Sequence, residues 1–254
     1  MKELTQLVKR DLILGFNQIK IRSLIIGLII LNLAIFQIYS FKDLPSSNFN
    51  DLLFYFFRGT TAEETVQKNL PFPFMWFMIQ FIPLFLIGDY VYKDMYEQSS
   101  FIFTRLKRRF SFWISKWIFS MIIACSFILL ILGISVIGSR FFLTVSINIH
   151  PTFWLLPIIS SIIHVTIYVA ASSVVRPIFV LFALLSFNII SVYTTNPLLP
   201  GNYSMVIRHI DWSEDGFTNG NALVYFIFTM LLVVVIVKWM FKRIDIYQKS
   251  KGVD

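Results

Sequence analysis

Long runs of apolar residues alternate with short polar segments along this 254-residue chain. A membrane-spanning helix needs roughly 20 apolar residues, and six runs come close to that length: 24–41, 74–91, 112–138, 153–174, 178–193 and 222–240. The pattern predicts an all-α fold, a polytopic membrane protein with six transmembrane helices in a single transmembrane domain over residues 1–254.

The N-terminal residues 1–22 follow a different pattern. Leu4, Val8, Leu12, Phe16 and Ile19 recur at helical spacing, and lysine, arginine and amide side chains lie between them. An amphipathic helix of this kind typically lies along a membrane surface. We expect an N-terminal interfacial helix here, or equally an ordinary helix that anchors the first span.

Composition and charge support a membrane protein. Hydrophobic residues make up 57% of the chain and charged residues only 14%, whereas soluble domains carry about a quarter charged residues. Of the 22 lysines and arginines, 17 lie before the first run, in 92–116, at Arg176 or at the C-terminus. The positive-inside rule therefore places both termini and the 92–116 segment in the cytoplasm. Contact with anionic lipids explains the net charge of +8 without nucleic acid.

Few residue patterns indicate chemistry inside the membrane. The sequence has no metal-protease, nucleophile-elbow or phosphate-loop motif, so we expect no enzyme activity and no catalytic residue. A single cysteine and three scattered histidines predict no metal site and no cofactor on this chain. The polar residues Gln80, His164 and Asn188 are the candidates for lining a transport pathway, although a lone histidine in a span is more typically a packing residue.

A charged segment, GDYVYKDMYEQSSFIFTRLKRRFSFWISKW, separates the second and third runs. Its first part predicts a short cytoplasmic helix that exposes Asp94 and Glu97. The basic residues that follow, Arg105, Lys107, Arg108 and Arg109, would lie at the level of the lipid headgroups. Carboxylates gain nothing beside an anionic leaflet, so the first part favours contact with a protein partner.

This segment and the order of the runs resemble the membrane subunit of a small bacterial ABC-2 type exporter, a permease of the peptide- or bacteriocin-export kind. Arg105-x-Lys107-Arg108 followed by Trp113-x-x-Lys116 matches the R-x-[KR]-R and W-x-x-K pattern of such permeases. The resemblance implies a coupling helix that contacts a cytoplasmic ATPase subunit. Here that helix would comprise Tyr92, Lys93, Asp94, Met95, Tyr96, Glu97 and Gln98, within a cytoplasmic coupling loop over residues 92–111, with a minor second contact near 172–176.

The resemblance also implies a second permease, identical or different, and ATP and magnesium bound by the partner ATPase. The expected function is ATP-driven export of a hydrophobic or antimicrobial peptide, or a lipid-like cargo, across a bacterial cell membrane. Two alternatives remain open from the residues alone. One is a stand-alone immunity or resistance protein that binds a toxic peptide, and the other, less favoured, is a membrane enzyme that acts on lipid.

The two longer outer segments, 42–73 and 194–221, carry their own local signals. The DLLFYFF stretch is too short to span a bilayer and predicts an interfacial or re-entrant helix. Thr61 and Glu64 have the spacing of a capping box. The spacing of Asp211, Glu214 and Asp215 differs from the spacing of the calcium ligands in an EF-hand loop. We therefore interpret these residues as a solvated acidic loop.

Overall fold

The computed structural model describes residues 2–41, 49–61, 63–64, 72–88, 90–98, 109–142, 149–214 and 216–243. Regular structure within these residues is helical, apart from one parallel β-bridge between His209 and Phe217. The helices are α1 (Lys2–Phe41), α2 (Phe49–Phe57), α3 (Phe74–Ile87), α4 (Tyr90–Lys93), α5 (Arg109–Phe142), α6 (Thr152–Ser172), α7 (Pro177–Tyr193) and α8 (Asn219–Arg243). A π-helical turn, Asp94–Gln98, continues α4, and two 3₁₀ turns, Pro200–Ser204 and Val206–Arg208, lie between α7 and α8.

Among the described residues, five helical segments are long and apolar enough to cross a membrane: Glu3–Ser40, Phe74–Tyr96, Phe110–Phe141, Thr152–Ser172 and Asn219–Phe241. The sixth apolar helix, α7, has 17 residues and is therefore roughly 26 Å long, just short of a bilayer core of about 30 Å. The lengths and composition of these helices indicate a membrane-embedded, multi-pass protein. The prediction of an all-helical fold is confirmed.

The N-terminal helix is longer than the sequence pattern indicated. The pattern divided residues 1–41 into an interfacial helix and a span that begins at residue 24, but the structure has one continuous helix, Lys2–Phe41. The segment contains no proline, and an isolated glycine costs a helix only about 1 kcal/mol. Nothing local therefore ends the helix near residue 22. The position of residues 1–22 relative to a membrane stays a prediction.

Helices α1 and α5 run parallel and contact each other along most of their length. Asp11 lies beside Lys116, and a Cβ atom added to Gly15 would lie 2.4 Å from the Phe119 ring. Towards the other end, a Cβ atom on Gly138 would lie 2.1 Å from Cδ1 of Ile38. The two glycines permit the close approach of the helices, one near each end of the contact.

The buried face of α1 follows from a four-residue spacing. Leu7, Asp11, Gly15 and Ile19 are buried at its N-terminal half, and Ile30, Ala34 and Ile38 continue the stripe towards its C-terminus. Because residues four apart lie on the same face of a helix, these buried side chains form one stripe along α1. One member of the stripe, Asp11, is a carboxylate.

Helix α6 lies at the centre of the bundle and contacts α3, α5, α7 and α8. Helices α1 and α8 lie at the periphery, where α8 exposes apolar side chains such as Val224, Phe228 and Val235. Exposed apolar faces of this extent suit a helix that borders lipid. We call the end of the bundle that holds residues 2–20, 90–98 and 109–118 the charged end, and the end that holds α2 and the 3₁₀ turns the opposite end.

Candidate functional site

The segment between the second and third apolar helices begins at a glycine with a positive φ. Gly88 ends α3 with φ 46° and ψ −133°, a conformation that side chains other than glycine rarely adopt. Its carbonyl accepts a 2.8 Å hydrogen bond from the Tyr168 hydroxyl of α6. The chain then forms α4 and the π-helical turn Asp94–Gln98, so residues 92–98 are helical as the sequence predicted.

Within this segment, buried and exposed side chains alternate by helical face. Val91 and Met95 lie in the core, Lys93 is exposed, and Tyr92 and Tyr96 are half-buried with their ring centroids 4.2 Å apart. Glu97 and Gln98 belong to the π-helical turn, but their side chains lie outside the described part of the structure. The segment is therefore anchored on one side and presents the other side outward.

Asp94 does not match its prediction. The sequence favoured an exposed carboxylate, but Asp94 is 95% buried and forms ion pairs with Arg10 of α1 and Lys116 of α5. The helical turn directs this carboxylate inward, towards two cations that lie 84 and 22 positions away in sequence. The local sequence pattern places a polar residue such as Asp94 near the surface. Its burial is determined instead by the tertiary contacts with Arg10 and Lys116.

A second carboxylate completes the ion cluster. Oδ1 of Asp11 lies 2.5 Å from Nζ of Lys116 and 2.9 Å from Nη2 of Arg10. The Tyr90 hydroxyl donates to the same oxygen at 3.0 Å and accepts from Lys116 Nζ at 3.2 Å. Lys116 and Asp11 are fully buried, and Arg10 is partly exposed. We refer to Arg10, Asp11, Tyr90, Asp94 and Lys116 as the ion cluster.

The ion cluster is balanced in charge and lies against aromatic rings. It contains two cations and two carboxylates, and Lys116 Nζ lies 4.6 Å from the ring centre of Tyr90 and 4.9 Å from that of Phe112. Burying a charge costs several kcal/mol unless it is paired and hydrogen-bonded. The pairs offset that cost only while all four charges are present, so the cluster ties α1, α5 and residues 90–98 to one another.

The remaining residues of the predicted cytoplasmic coupling loop lie largely outside the described structure. Arg105, Lys107 and Arg108 are in this group, and Arg109 begins α5 with its side chain also outside the described part. Lys116, which the sequence suggested was one more cytoplasmic cation, is instead the buried centre of the ion cluster.

The three pathway candidates of the sequence lie together. His164 Nε2 is 3.1 Å from Oδ1 of Asn188, and His164 Nδ1 is 2.8 Å from the carbonyl of Ser160. Ser160 donates at 3.1 Å to Oε1 of Gln80. These residues are at most 1% exposed and join α3, α6 and α7. The contacts describe a packed polar network inside one chain, and a role in lining a pathway stays a prediction.

Arg208 organises the opposite end of the bundle. Its guanidinium donates to the carbonyls of Thr60, Ser191 and Thr194 at 2.7, 3.0 and 2.8 Å, and to the side chain of Asn202. Burial lowers the pKa of Arg208 to about 10, although the charge of Glu64 raises it. The side chain therefore remains charged at neutral pH and joins residues 58–61 to the end of α7.

Two local predictions concern the opposite end. The capping box is confirmed, because Thr61 N donates to Glu64 Oε2 and Glu64 N donates to Thr61 Oγ1, each at 2.9 Å. Asp211 and Glu214 are exposed, in agreement with the prediction of a solvated acidic loop, and Asp215 lies outside the described residues. Oδ2 of Asp211 lies 2.8 Å from His209 Nδ1 and accepts from Thr152 Oγ1 at 2.9 Å. Among the described residues, no group of three His, Cys, Asp or Glu is suited to a metal ion.

The sequence pattern did not single out Arg10, Asp11, Tyr90 or Arg208. One signal could have identified Asp11, because it lies four residues after Leu7 and four before Gly15 on a single helical stripe. A carboxylate at such a position needs a buried cation. The identity of that cation, Lys116, is a tertiary contact that no local pattern reveals.

No family model matches the chain, and neither a curated protein nor a solved structure is detectably similar to it.

Proposed function

We propose that this protein is the membrane subunit of an ATP-binding cassette exporter in a bacterial cell membrane. In this proposal the chain spans the membrane six times, both termini and residues 90–98 face the cytoplasm, and a second permease completes the translocation unit. ATP and magnesium are bound by a separate cytoplasmic ATPase subunit. The cargo is a hydrophobic or antimicrobial peptide or a lipid-like molecule.

One observation carries the proposal: Asp94, in the segment predicted to meet the ATPase, is ion-paired to both Arg10 of α1 and Lys116 of α5. A segment that receives force from a motor protein must be joined to the helices that move. The ion cluster joins residues 90–98 to two long parallel helices at once, and the Tyr168 hydroxyl joins Gly88 to α6.

The outward side of the segment supports a protein contact. Lys93 is exposed and the Tyr92–Tyr96 ring pair is half-buried, and aromatic residues are enriched where proteins bind one another. In mechanism, ATP binding closes the partner ATPase dimer, which pushes on residues 92–98. The ion cluster passes that displacement to α1 and α5, and the paired permeases rearrange to release cargo outward.

Co-purification from native membranes tests the proposal. Tagged wild-type protein should retain an ATP-binding cassette subunit, whereas Lys93→Glu combined with Tyr92→Ala should lose it without loss of membrane insertion. Lys238→Glu is the matched control, because Lys238 is also an exposed lysine but lies near the C-terminal end of α8. Equal recovery of the ATPase subunit with both variants would argue against residues 92–98 as its docking site.

The stand-alone immunity or resistance protein gives the opposite result. Such a protein would bind its toxic peptide with no ATPase subunit in the purified material. Wild-type protein that never retains an ATP-binding partner would therefore overturn the exporter proposal.

A further inference from the structure

A lengthwise groove lies between α1 and α5 on the outer surface of the bundle. Its walls include Leu12, Phe16 and Gly27 of α1 and Ile122, Ser126 and Leu130 of α5, and its volume is about 440 Å³. Phe16, Ile122 and Leu130 are each at least 40% exposed, so the groove opens to the surroundings of the bundle. It is an accessible surface feature.

The dimensions of the groove suit an extended hydrocarbon chain. Leu12 and Gly27 are 15 residues apart, which is roughly 22 Å along a helix, and Phe119 and Leu130 are separated by roughly 16 Å. One leaflet of a bilayer core is about 15 Å deep. A single acyl chain of that leaflet therefore matches the length of the groove.

A missing side chain deepens the groove. Gly27 lies in its wall, and a Cβ atom added there would have no other atom within 4 Å. Gly15, three residues beyond Leu12, differs because a Cβ atom there would collide with Phe119. Helix packing therefore requires Gly15, whereas Gly27 leaves open space that a ligand can fill.

The chemistry of the walls selects an acyl chain over a peptide. The lining side chains are apolar except for the hydroxyls of Ser23 and Ser126, and the backbone of a helix is hydrogen-bonded internally. An extended peptide would leave its own N–H and C=O groups unsatisfied there, which is costly in an apolar environment. A helical peptide satisfies its backbone but is about 10 Å thick, too thick for this volume. A hydrocarbon chain carries no polar group.

Cations flank the same face of α1. Lys9, Phe16 and Lys20 are separated by seven and four residues, so they share one face of the helix, and all three are exposed. Arg22 is also exposed. Lys9 precedes Leu12 by three residues and so lies at the end of the groove, where a cation attracts an anionic headgroup at about 1 kcal/mol.

We propose that the groove between α1 and α5 is a binding site for one acyl chain of an anionic phospholipid, whose headgroup contacts Lys9, three residues before the Leu12 end of the groove. The proposal requires that the protein is embedded in a membrane with residues 12–27 and 119–130 at the depth of one leaflet. It does not depend on the exporter function or on an ATPase partner.

Photolabelling in vesicles tests the site. The protein is reconstituted in phosphatidylglycerol with a trace of phosphatidylglycerol that carries a diazirine on one acyl chain, and adducts are mapped by mass spectrometry. We expect adducts on residues 12–27 and 119–130 to exceed those on the exposed face of α8 several-fold. Gly27→Phe, which fills the groove, should reduce them to the α8 level.

Matched variants separate filling of the groove from general damage. Gly133→Phe is the control, because a Cβ atom on Gly133 also has no neighbour within 4 Å and Gly133 does not line the groove. It should leave labelling unchanged, and both variants should elute as folded protein. Lys9→Glu should remove the preference for phosphatidylglycerol over a diazirine phosphatidylcholine.

Three results would overturn the proposal. The first is equal labelling of the groove and of α8, which indicates only the ordinary lipid annulus. The second is unchanged labelling in folded Gly27→Phe protein. The third is displacement of the lipid adducts by an added apolar peptide that itself labels residues 12–27, which would identify the groove as a peptide site.

Discussion

The ammonium group of Lys116 lies 2.5 Å from Oδ1 of Asp11, although the two residues are 105 positions apart in the chain and both side chains are fully buried. This pair joins α1 to α5, and Asp94 joins the same lysine to residues 90–98. The contact makes three distant segments interdependent, and removal of single charges tests that dependence.

Removal of one charge should destabilise the protein strongly. Asp11→Asn leaves an excess of positive charge in the ion cluster, and Lys116→Met leaves an excess of negative charge. Each should lower the free energy of unfolding by about 3–5 kcal/mol, because breaking a buried pair leaves an unpaired charge. Unfolding in mixed detergent micelles gives the free energies.

The double variant distinguishes pairing from general packing damage. Asp11→Asn with Lys116→Met retains one cation and one carboxylate, Arg10 and Asp94, so it should lose less stability than the sum of the single variants. Additive losses would show that the two residues do not act as a pair. Lys20→Met on the exposed side of α1 should change stability by no more than about 0.5 kcal/mol.

The parallel contact of α1 and α5 should depend on Gly15. Gly15→Leu places a side chain where even a Cβ atom would lie 2.4 Å from the Phe119 ring, so we expect a clear loss of thermal stability in detergent. Overpacking of this kind costs typically 1–3 kcal/mol. Gly133→Leu adds the same side chain to an open position and should have little effect. Similar melting temperatures for the two variants would contradict the close approach.

Arg208 should hold the opposite end of the bundle together. Arg208→Met leaves the carbonyls of Thr60, Ser191 and Thr194 without their buried donor, at about 1–3 kcal/mol for each unsatisfied group. We expect faster proteolysis of residues 194–218, and only partial recovery with Arg208→Lys, whose ammonium has fewer donors. Wild-type rates of cleavage in Arg208→Met would contradict this role.

The pH dependence of that effect follows from the pKa of Arg208. Burial lowers this pKa to about 10 from an ordinary value of 12.5. The free-energy cost of burying the charged guanidinium in the folded protein is therefore fully present below about pH 10, and it is relieved only as the pH rises through that value. The stability difference between wild type and Arg208→Met should therefore be constant from about pH 6 to pH 8. A change across that range would show that another group titrates with Arg208.

Water access distinguishes a pathway from a packed network at His164. In a Cys125→Ser background, His164→Cys should react with a water-soluble maleimide only after unfolding, because His164 is fully buried between α3 and α7. Lys93→Cys in the same background should react at once, since Lys93 is exposed. Rapid labelling at position 164 in folded protein would favour a water-filled pathway.

Apolar runs predicted the main helices well because a bilayer imposes one dominant constraint on sequence. Five of the six runs correspond to helices whose ends lie within a few residues of the expected ones. The exception is α1. Its apolar run indicates only the part long enough to cross a bilayer, whereas the helix itself extends back to Lys2 because no residue interrupts it. Membrane contact and helix length are separate properties.

The ion cluster could not be predicted in the same way. Asp94 and Lys116 lie in a segment rich in both signs of charge, and local pattern cannot indicate which charges face inward. Only the packing of α1 against α5 places Asp11 and Arg10 beside them. The polar residues Gln80, His164 and Asn188 were predicted only as candidates for lining a pathway, and their hydrogen-bonded contact through Ser160 was not predicted.

Photocross-linking from position 93 tests whether an ATP-driven partner engages residues 92–98. A photoreactive amino acid replaces Lys93, and a second sample carries it at Tyr39, exposed on α1 near the opposite end. In native membranes we expect position 93 to form an adduct with an ATP-binding cassette subunit and position 39 to form none. Adducts with lipid alone at position 93 would contradict the account.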